Sequence, residues 1–138
     1  MAEAYFSHFC QYIRCRKPDI IGHFDLLTKF DESDIDRFSG DARYTAIAEK
    51  YLTEAASVGC LFEVNTGAMA RGLRTSPYPA AHLLYLLQKL GGEVILGSDC
   101  HDVNYLSYAF TETKAFLKDV GFSHVCVLYD GSFREDTL

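Results

Sequence analysis

Two stretches of this chain bring together residue types that can do chemistry. In Gly97-Ser98-Asp99-Cys100-His101 a carboxylate and an imidazole stand two positions apart, directly after the apolar run Glu93-Val94-Ile95-Leu96. That run reads as a buried strand, and residues two apart on an extended chain face the same way. Asp99 and His101 are therefore expected to point into one cleft, with Cys100 turned away. A carboxylate beside an imidazole is a metal-ligand pair or an acid/base pair. An isolated Asp-x-His is weak evidence, but Asp19-Ile20-Ile21-Gly22-His23-Phe24-Asp25 is a second apolar run that ends in Gly, His and Asp. A third run, Cys60 to Val64, leads through Asn65-Thr66-Gly67 into a loop bearing Arg71 and Arg74. A guanidinium there can grip a phosphate in bidentate fashion, against the plainer reading of a solvated loop arginine. Asp25 is expected either to orient a neighbouring ligand or to start a turn. Glu63 and Asn65 share a strand face, and for Asn65 a buried structural role stands against support of the cleft. His8, His82 and His124 fall on helices or at a strand start, away from these ends, and read as structural or surface residues.

The elements that must position these groups follow from periodicity. Apolar residues at Tyr5, Phe6, Phe9, Tyr12 and Ile13 predict a helix over Glu3 to Arg16, stopped by Pro18, which feeds a strand from Asp19 to Phe24. A polar stretch from Thr28 to Gly40 reads as a long loop. Asp41 caps a helix predicted over Ala42 to Val58 and closed by Gly59. After the strand at 60–64 and a loop over Ala68 to Tyr78, Pro79 opens a helix running to Leu90. The remaining elements are a strand from Glu93 to Gly97, a helix over about Tyr105 to Val120, a strand from His124 to Leu128 or Tyr129, and a short polar tail. Helix and strand alternate four times. Strands apolar on both faces fit parallel βα units covered by helices, with sequential strands and right-handed crossovers. In such sheets the ligand site lies beyond the carboxyl ends of the strands. His23, Asp25, Asn65, Thr66, Asp99, His101 and Asp130 all map to that rim.

Composition excludes several classes. The 138 residues suit one domain, and 49% hydrophobic with 23% charged residues fits a folded globular chain rather than a disordered one. A net charge of -6 gives no electrostatic footprint for a nucleic acid or an anionic membrane. The start of the chain lacks a basic region followed by a long apolar core, and no run is long enough to span a bilayer. Five cysteines without Cys-x-x-Cys spacing make neither a disulfide framework nor a structural zinc site, so a reducing, cytoplasmic setting is expected, with the cysteines as small core residues.

Three separated motifs carry a resemblance. Ile20-Ile21-Gly22-His23-Phe24-Asp25-Leu26-Leu27-Thr28-Lys29-Phe30, then Phe62-Glu63-Val64-Asn65-Thr66-Gly67 with Arg71-Gly72 and Pro77-Tyr78-Pro79, then Gly97-Ser98-Asp99-Cys100-His101, resemble the histidinol-phosphatase branch of the polymerase-and-histidinol-phosphatase (PHP) superfamily. The resemblance implies an α/β fold in which residues 1–138 form the C-terminal portion of a distorted (β/α) barrel. It implies a metal-dependent phosphomonoester hydrolase acting on a small phosphorylated substrate, L-histidinol phosphate, in histidine biosynthesis. Carried over by position, His23, Asp99 and His101 would each ligate one of up to three divalent metals, commonly Zn, Mn or Fe. Asp99 and His101 are the catalytic candidates, and Arg71 and Arg74 the substrate-binding ones. The family pattern also includes an opening His-x-His strand and a bridging Glu, which this sequence does not carry. A non-catalytic half-barrel acting through association is therefore the rival reading. Barrel closure would leave the first and last strands as open parallel edges, so a homo-oligomer, or pairing with an N-terminal half, is expected.

Overall fold

The computed structural model describes residues 1–32 and 38–138. A five-stranded sheet with spatial order β1-β2-β3-β4-β5 carries the chain's helices. Its strands are β1 (Ile20–Ile21), β2 (Leu61–Asn65), β3 (Val94–Gly97), β4 (His124–Tyr129) and β5 (Ser132–Thr137). The first four run parallel and in sequential order, as the alternation of elements predicts. The register sets Phe62 beside Val94, Asn65 beside Gly97 and Ile95 beside Cys126.

The helices are α1 (Ala2–Arg16), α2 (Ala42–Ala56), the single turn α3 (Gly67–Ala70), α4 (Ala81–Lys89) and α5 (Phe110–Val120). Helix α1 stops where Lys17 turns left-handed just before Pro18, and the Asp41 side chain caps α2 by accepting from the Arg43 N–H at 2.8 Å. Helices α1, α2, α4 and α5 touch one another in that order, and their apolar faces meet Phe62, Val64, Val94 and Val125 of the sheet in one core. Phe6 is fully buried at its centre, with the rings of Phe24, Tyr44 and Tyr51 5.1 to 6.1 Å away. Phe6→Ala should destabilise the fold by about 3–5 kcal/mol, read as a shifted urea midpoint at unchanged slope.

Several expectations need correction. The polar tail is not a tail. Asp130 and Gly131, both at positive φ (50° and 73°), form a two-residue hairpin turn that folds β5 back antiparallel along β4 from Tyr129↔Ser132 to His124↔Thr137. Asp130, expected among the rim's functional groups, is a turn residue. The edge of β4 is thus covered by an antiparallel neighbour, and among the described residues β1 alone presents an open parallel edge. The helix expected from Tyr105 starts at Phe110: Ala109 takes a left-handed φ of 56°, and Val103–Tyr105 form a separate 3₁₀ turn. Pro79 follows a cis peptide bond, with α4 beginning two residues later. The loop expected over Thr28 to Gly40 includes residues 33–37, which lie outside the described residues. Within the rest of it, the Asp31 carboxylate accepts from the Ser39 N–H and hydroxyl at 2.7 and 2.6 Å.

A candidate metal and phosphate site at the strand ends

The rim is assembled around a glutamate. Glu63 sits on β2 with glycines on both flanks, Gly22 after β1 and Gly97 at the end of β3, and a Cβ at Gly97 would run into the Glu63 side chain. Two glycines therefore leave the lane in which this carboxylate lies across the strand ends. From there Oε2 lies 3.1 Å from His23 Nδ1 and also accepts from the His23 backbone N–H at 3.2 Å. Asn65, on the same strand face, donates to Glu63 Oε1 at 3.0 Å, sits 3.3 Å from His23 Nδ1, and accepts from the Gly67 N–H at 2.9 Å. Asn65 is fully buried and still supports the cleft, so the two readings of it are both true.

With Nδ1 turned toward Glu63, the Nε2 of His23 is left facing Asp99, 3.9 Å from Oδ2. A carboxylate on one imidazole nitrogen is the arrangement that fixes the tautomer and ring plane of a metal-binding histidine. The other oxygen of Asp99 lies 3.5 Å from His101 Nε2. His23, Asp99 and His101 are thus strung through the two oxygens of Asp99 rather than gathered round a single point. Their donor types, one carboxylate flanked by two imidazoles, suit a divalent ion of the zinc or manganese class. His101 is the outermost of the three, its side chain three-quarters exposed.

Asp99 and His101 come within 3.5 Å of each other, but not from the extended strand that their spacing suggests. Strand β3 ends at Gly97, and Asp99 adopts a left-handed φ of 43°, as does His23 at 52°. Neither His23 nor Asp99 is on an extended strand, and the two side chains face each other because the backbone turns sharply at both strand ends. Non-glycine residues in this conformation carry strain that surrounding contacts must hold in place.

The two arginines part company. Arg71, reached from the turn α3, donates through Nη2 to Asp99 Oδ2 at 3.1 Å and through Nη1 to the Asp99 carbonyl at 3.3 Å. Gly67 allows this approach: a Cβ there would meet the Ser98 carbonyl at 2.7 Å and Asp99 Cβ at 2.9 Å. A third of the Arg71 side chain stays exposed, so a cation faces the opening beside the metal-ligand candidates. Burial raises the Asp99 carboxyl, but the Arg71 hydrogen bond and the neighbouring charges of His23, Arg71 and His101 outweigh it and hold the group below the usual carboxylate range. Arg74, by contrast, is buried at 8% exposure and spends its guanidinium inside the loop. It donates to the Thr28 carbonyl at 3.1 Å, to Thr28 Oγ1, to the Ser76 carbonyl at 3.2 Å and to Ser76 Oγ at 3.3 Å, and lies over the Tyr78 ring. None of these contacts reaches His23, Asp99 or His101.

Asp25 is fully buried below the rim. Its Oδ2 accepts from the Ala80 N–H at the start of α4, at 2.9 Å, and burial raises its pKa against the opposing effects of that bond and of Arg74. It does start a turn, the 3₁₀ turn Leu26–Thr28, in which the Thr28 N–H donates to the Asp25 carbonyl at 3.0 Å, and its buried carboxylate ties the loop after β1 to α4. The sequence signal for Glu63 was the paired glycines opposite it, visible only once the strand register is known. Gly97→Ala should displace the Glu63 carboxylate at a cost of about 1–3 kcal/mol. The diagnostic change is loss of the Glu63 contact to His23 Nδ1, followed by the imidazole nitrogen shifts in NMR.

The likeness to known proteins runs along the chain and beyond the motifs. Over 135 residues, 97% of its length, it is 29% identical to a Schizosaccharomyces pombe protein described as a probable histidinol-phosphatase, covering 44% of that protein. It is 26% identical over 158 aligned positions to the histidinol-phosphatase of Saccharomyces cerevisiae, which takes in 98% of this chain and 47% of the yeast protein. A Deinococcus radiodurans protein, also described as a probable histidinol-phosphatase, matches 75% of the chain at 29% identity and is itself covered over 36%. The chain spans less than half the length of these curated relatives. No family model matches it.

Proposed function

We propose that this chain, a relative of proteins named histidinol-phosphatase, carries part of the active site of a metal-dependent phosphomonoester hydrolase that converts L-histidinol phosphate to L-histidinol. The observation that carries the reading is the Glu63–His23–Asp99 line, in which a carboxylate fixes one imidazole nitrogen at 3.1 Å and leaves the other facing a second carboxylate. Nothing in core packing asks for that order of groups at a strand end, whereas a metal ligand does. In this reading His23, Asp99 and His101 hold divalent Zn, Mn or Fe. Bound there, such an ion supplies Lewis acidity and a water of lowered pKa.

This chain's residues do the placing. Glu63 and Asn65 fix the His23 ring plane. Asp99 presents one oxygen to each imidazole. Arg71 has N–H groups left over from its bonds to Asp99, and these bind phosphoryl oxygens at the opening of the site, bringing cationic charge to a chain whose net charge is -6. Arg74 supports the loop from below rather than meeting substrate.

A second reading has its own support. The sheet face opposite the helices leaves Leu128 and Phe133 exposed at 60% and 40%, so the chain offers a surface that another segment can cover. In this reading the chain acts by association, as a homo-oligomer or with an N-terminal half that brings the remaining ligands, and its own affinity for metal is weak. The chain is sized by light scattering and assayed with histidinol phosphate and added Zn or Mn, alone and mixed with the N-terminal half of a relative. Activity that appears on mixing and falls with Arg71→Ala supports the enzyme reading. Association without activity under any metal supports the second.

A further inference from the structure

At the other end of the sheet from the rim, unlike donor groups converge on one face. Ile95 of β3 pairs with Cys126 of β4, and Cys126 pairs with Glu135 of β5. Two residues further back along the parallel pair, Glu93 stands beside His124, and His124 and Cys126, two apart on one strand, share a side. His124 Nε2 lies 3.4 Å from Glu93 Oε1 and 4.0 Å from Glu135 Oε1. Its Nδ1 sits 3.0 Å from the Ser123 hydroxyl, which leaves Nε2 to face the carboxylates. One ligand atom each from Glu93, His124 and Cys126 all lie within 4.8 Å of one another. Cys126 is nearly buried, at 5% exposure. A cleft of about 420 Å³, lined in part by Glu93, Cys126 and Glu135, opens beside the group and gives an ion a way in.

We propose that Glu93, His124 and Cys126 form a binding site for zinc or a similar thiophilic divalent ion, with Glu135 as the fourth donor. One sulfur, one imidazole nitrogen and carboxylate oxygens are the mixed ligand set that a borderline-soft ion of this class accepts. Side-chain movement of roughly 1 Å brings the donors onto zinc bonds of about 2.0 to 2.3 Å. Binding forms the metal–sulfur bond as the Cys126 thiol gives its proton to the buffer, and no electron changes hands. The ion ties three strands together at the end of the sheet far from the rim. The inference stands apart from the phosphatase reading, since it shares no residue with the rim.

The test is titration of the chain with cobalt(II) or cadmium(II), read as the ultraviolet charge-transfer band that only a thiolate–metal bond produces. The Asp99→Ala background silences the rim, and Cys100→Ser separates the rim's thiol from this one. A band that saturates at one equivalent, survives Cys100→Ser and disappears in Cys126→Ser is the expected result. His124→Ala keeps the thiol and should weaken binding on the order of 100-fold or more. Far-ultraviolet circular dichroism confirms that each variant is folded. Absence of a band in the parent chain overturns the proposal, as does a band that persists in Cys126→Ser or an unchanged affinity in His124→Ala. In those cases Glu93, His124 and Glu135 are only neighbouring polar groups at the strand ends.

Discussion

Asp99→Ala is expected to weaken divalent-metal binding at the rim on the order of 100-fold, because it takes away the carboxylate that joins His23 to His101. Calorimetric titration with manganese measures this cleanly in the Cys126→Ser background, where the sulfur donor at the far end is absent. Stability should change by only about 1 kcal/mol or less, since the ion pairs of Asp99 with Arg71 and His101 are partly solvated. The dependence on pH has a definite sign. The folded-state pKa of Asp99 lies below its ordinary value, so its contribution is fully present above the unfolded carboxylate pKa of about 3.9 and fades as pH falls through the lower folded value. The stabilities of wild type and Asp99→Ala should run parallel at neutral pH and converge only in acid. Arg71 keeps its charge throughout this range, so complete convergence on the alkaline side would contradict the electrostatic account.

Arg74→Ala is expected to cost about 3–5 kcal/mol, because it leaves several acceptors unpaired at about 1–3 kcal/mol for each one buried. The substitution leaves the Thr28 and Ser76 carbonyls without their donor and takes away the charge that favours ionised Asp25. Arg74→Lys should recover little, because a single ammonium cannot reproduce the guanidinium fork that spans Thr28 and Ser76. Arg71→Ala is the contrasting case: near-native stability with loss of phosphate or sulfate binding. Urea melts beside anion titrations of the two alanine variants separate the roles, and equal destabilisation by both would undo the distinction.

The sequence resolves the alternation of helix and strand because each buried element repeats its apolar residues at a single period, as at Phe6, Cys10 and Ile13 of α1 or along Leu61 to Asn65 of β2. It also locates His23, Asp99 and His101, which follow apolar runs. What escapes it depends on contacts across the sheet. Strand β5 has one apolar residue, Phe133, and takes its extended form from pairing with β4, although Asp130-Gly131 is a hairpin dipeptide in its own right. Tyr105 and Tyr108, three apart, keep helical spacing in a segment that is not α-helical, because the left-handed Ala109 breaks the backbone before α5. Arg71 and Arg74 look alike as loop residues. Only the fold shows that one reaches Asp99 across the strand ends while the other is enclosed by Thr28 and Ser76. Glu63 is read as an ordinary strand residue because the glycines that make room for it lie about 40 positions before it and 34 after it in the chain.

The antiparallel β5 gives the sheet two unequal margins, and that inequality limits how copies can join. A strand adding in parallel register, as closure into a barrel requires, finds β4 already paired and can enter only beside β1. The outer margin of β5 bears Arg134, Glu135 and Asp136, charges of the kind that discourage strand addition. Head-to-tail stacking, in which the last strand of one molecule feeds the first of the next, therefore has one blunted end. Two molecules meeting β1 to β1 use the same surface on each side and are related by a two-fold axis, a contact that satisfies itself after a single partner. If copies join through the sheet edge, the contact ends at a pair, and the orientation of one short hairpin opposes growth into fibres.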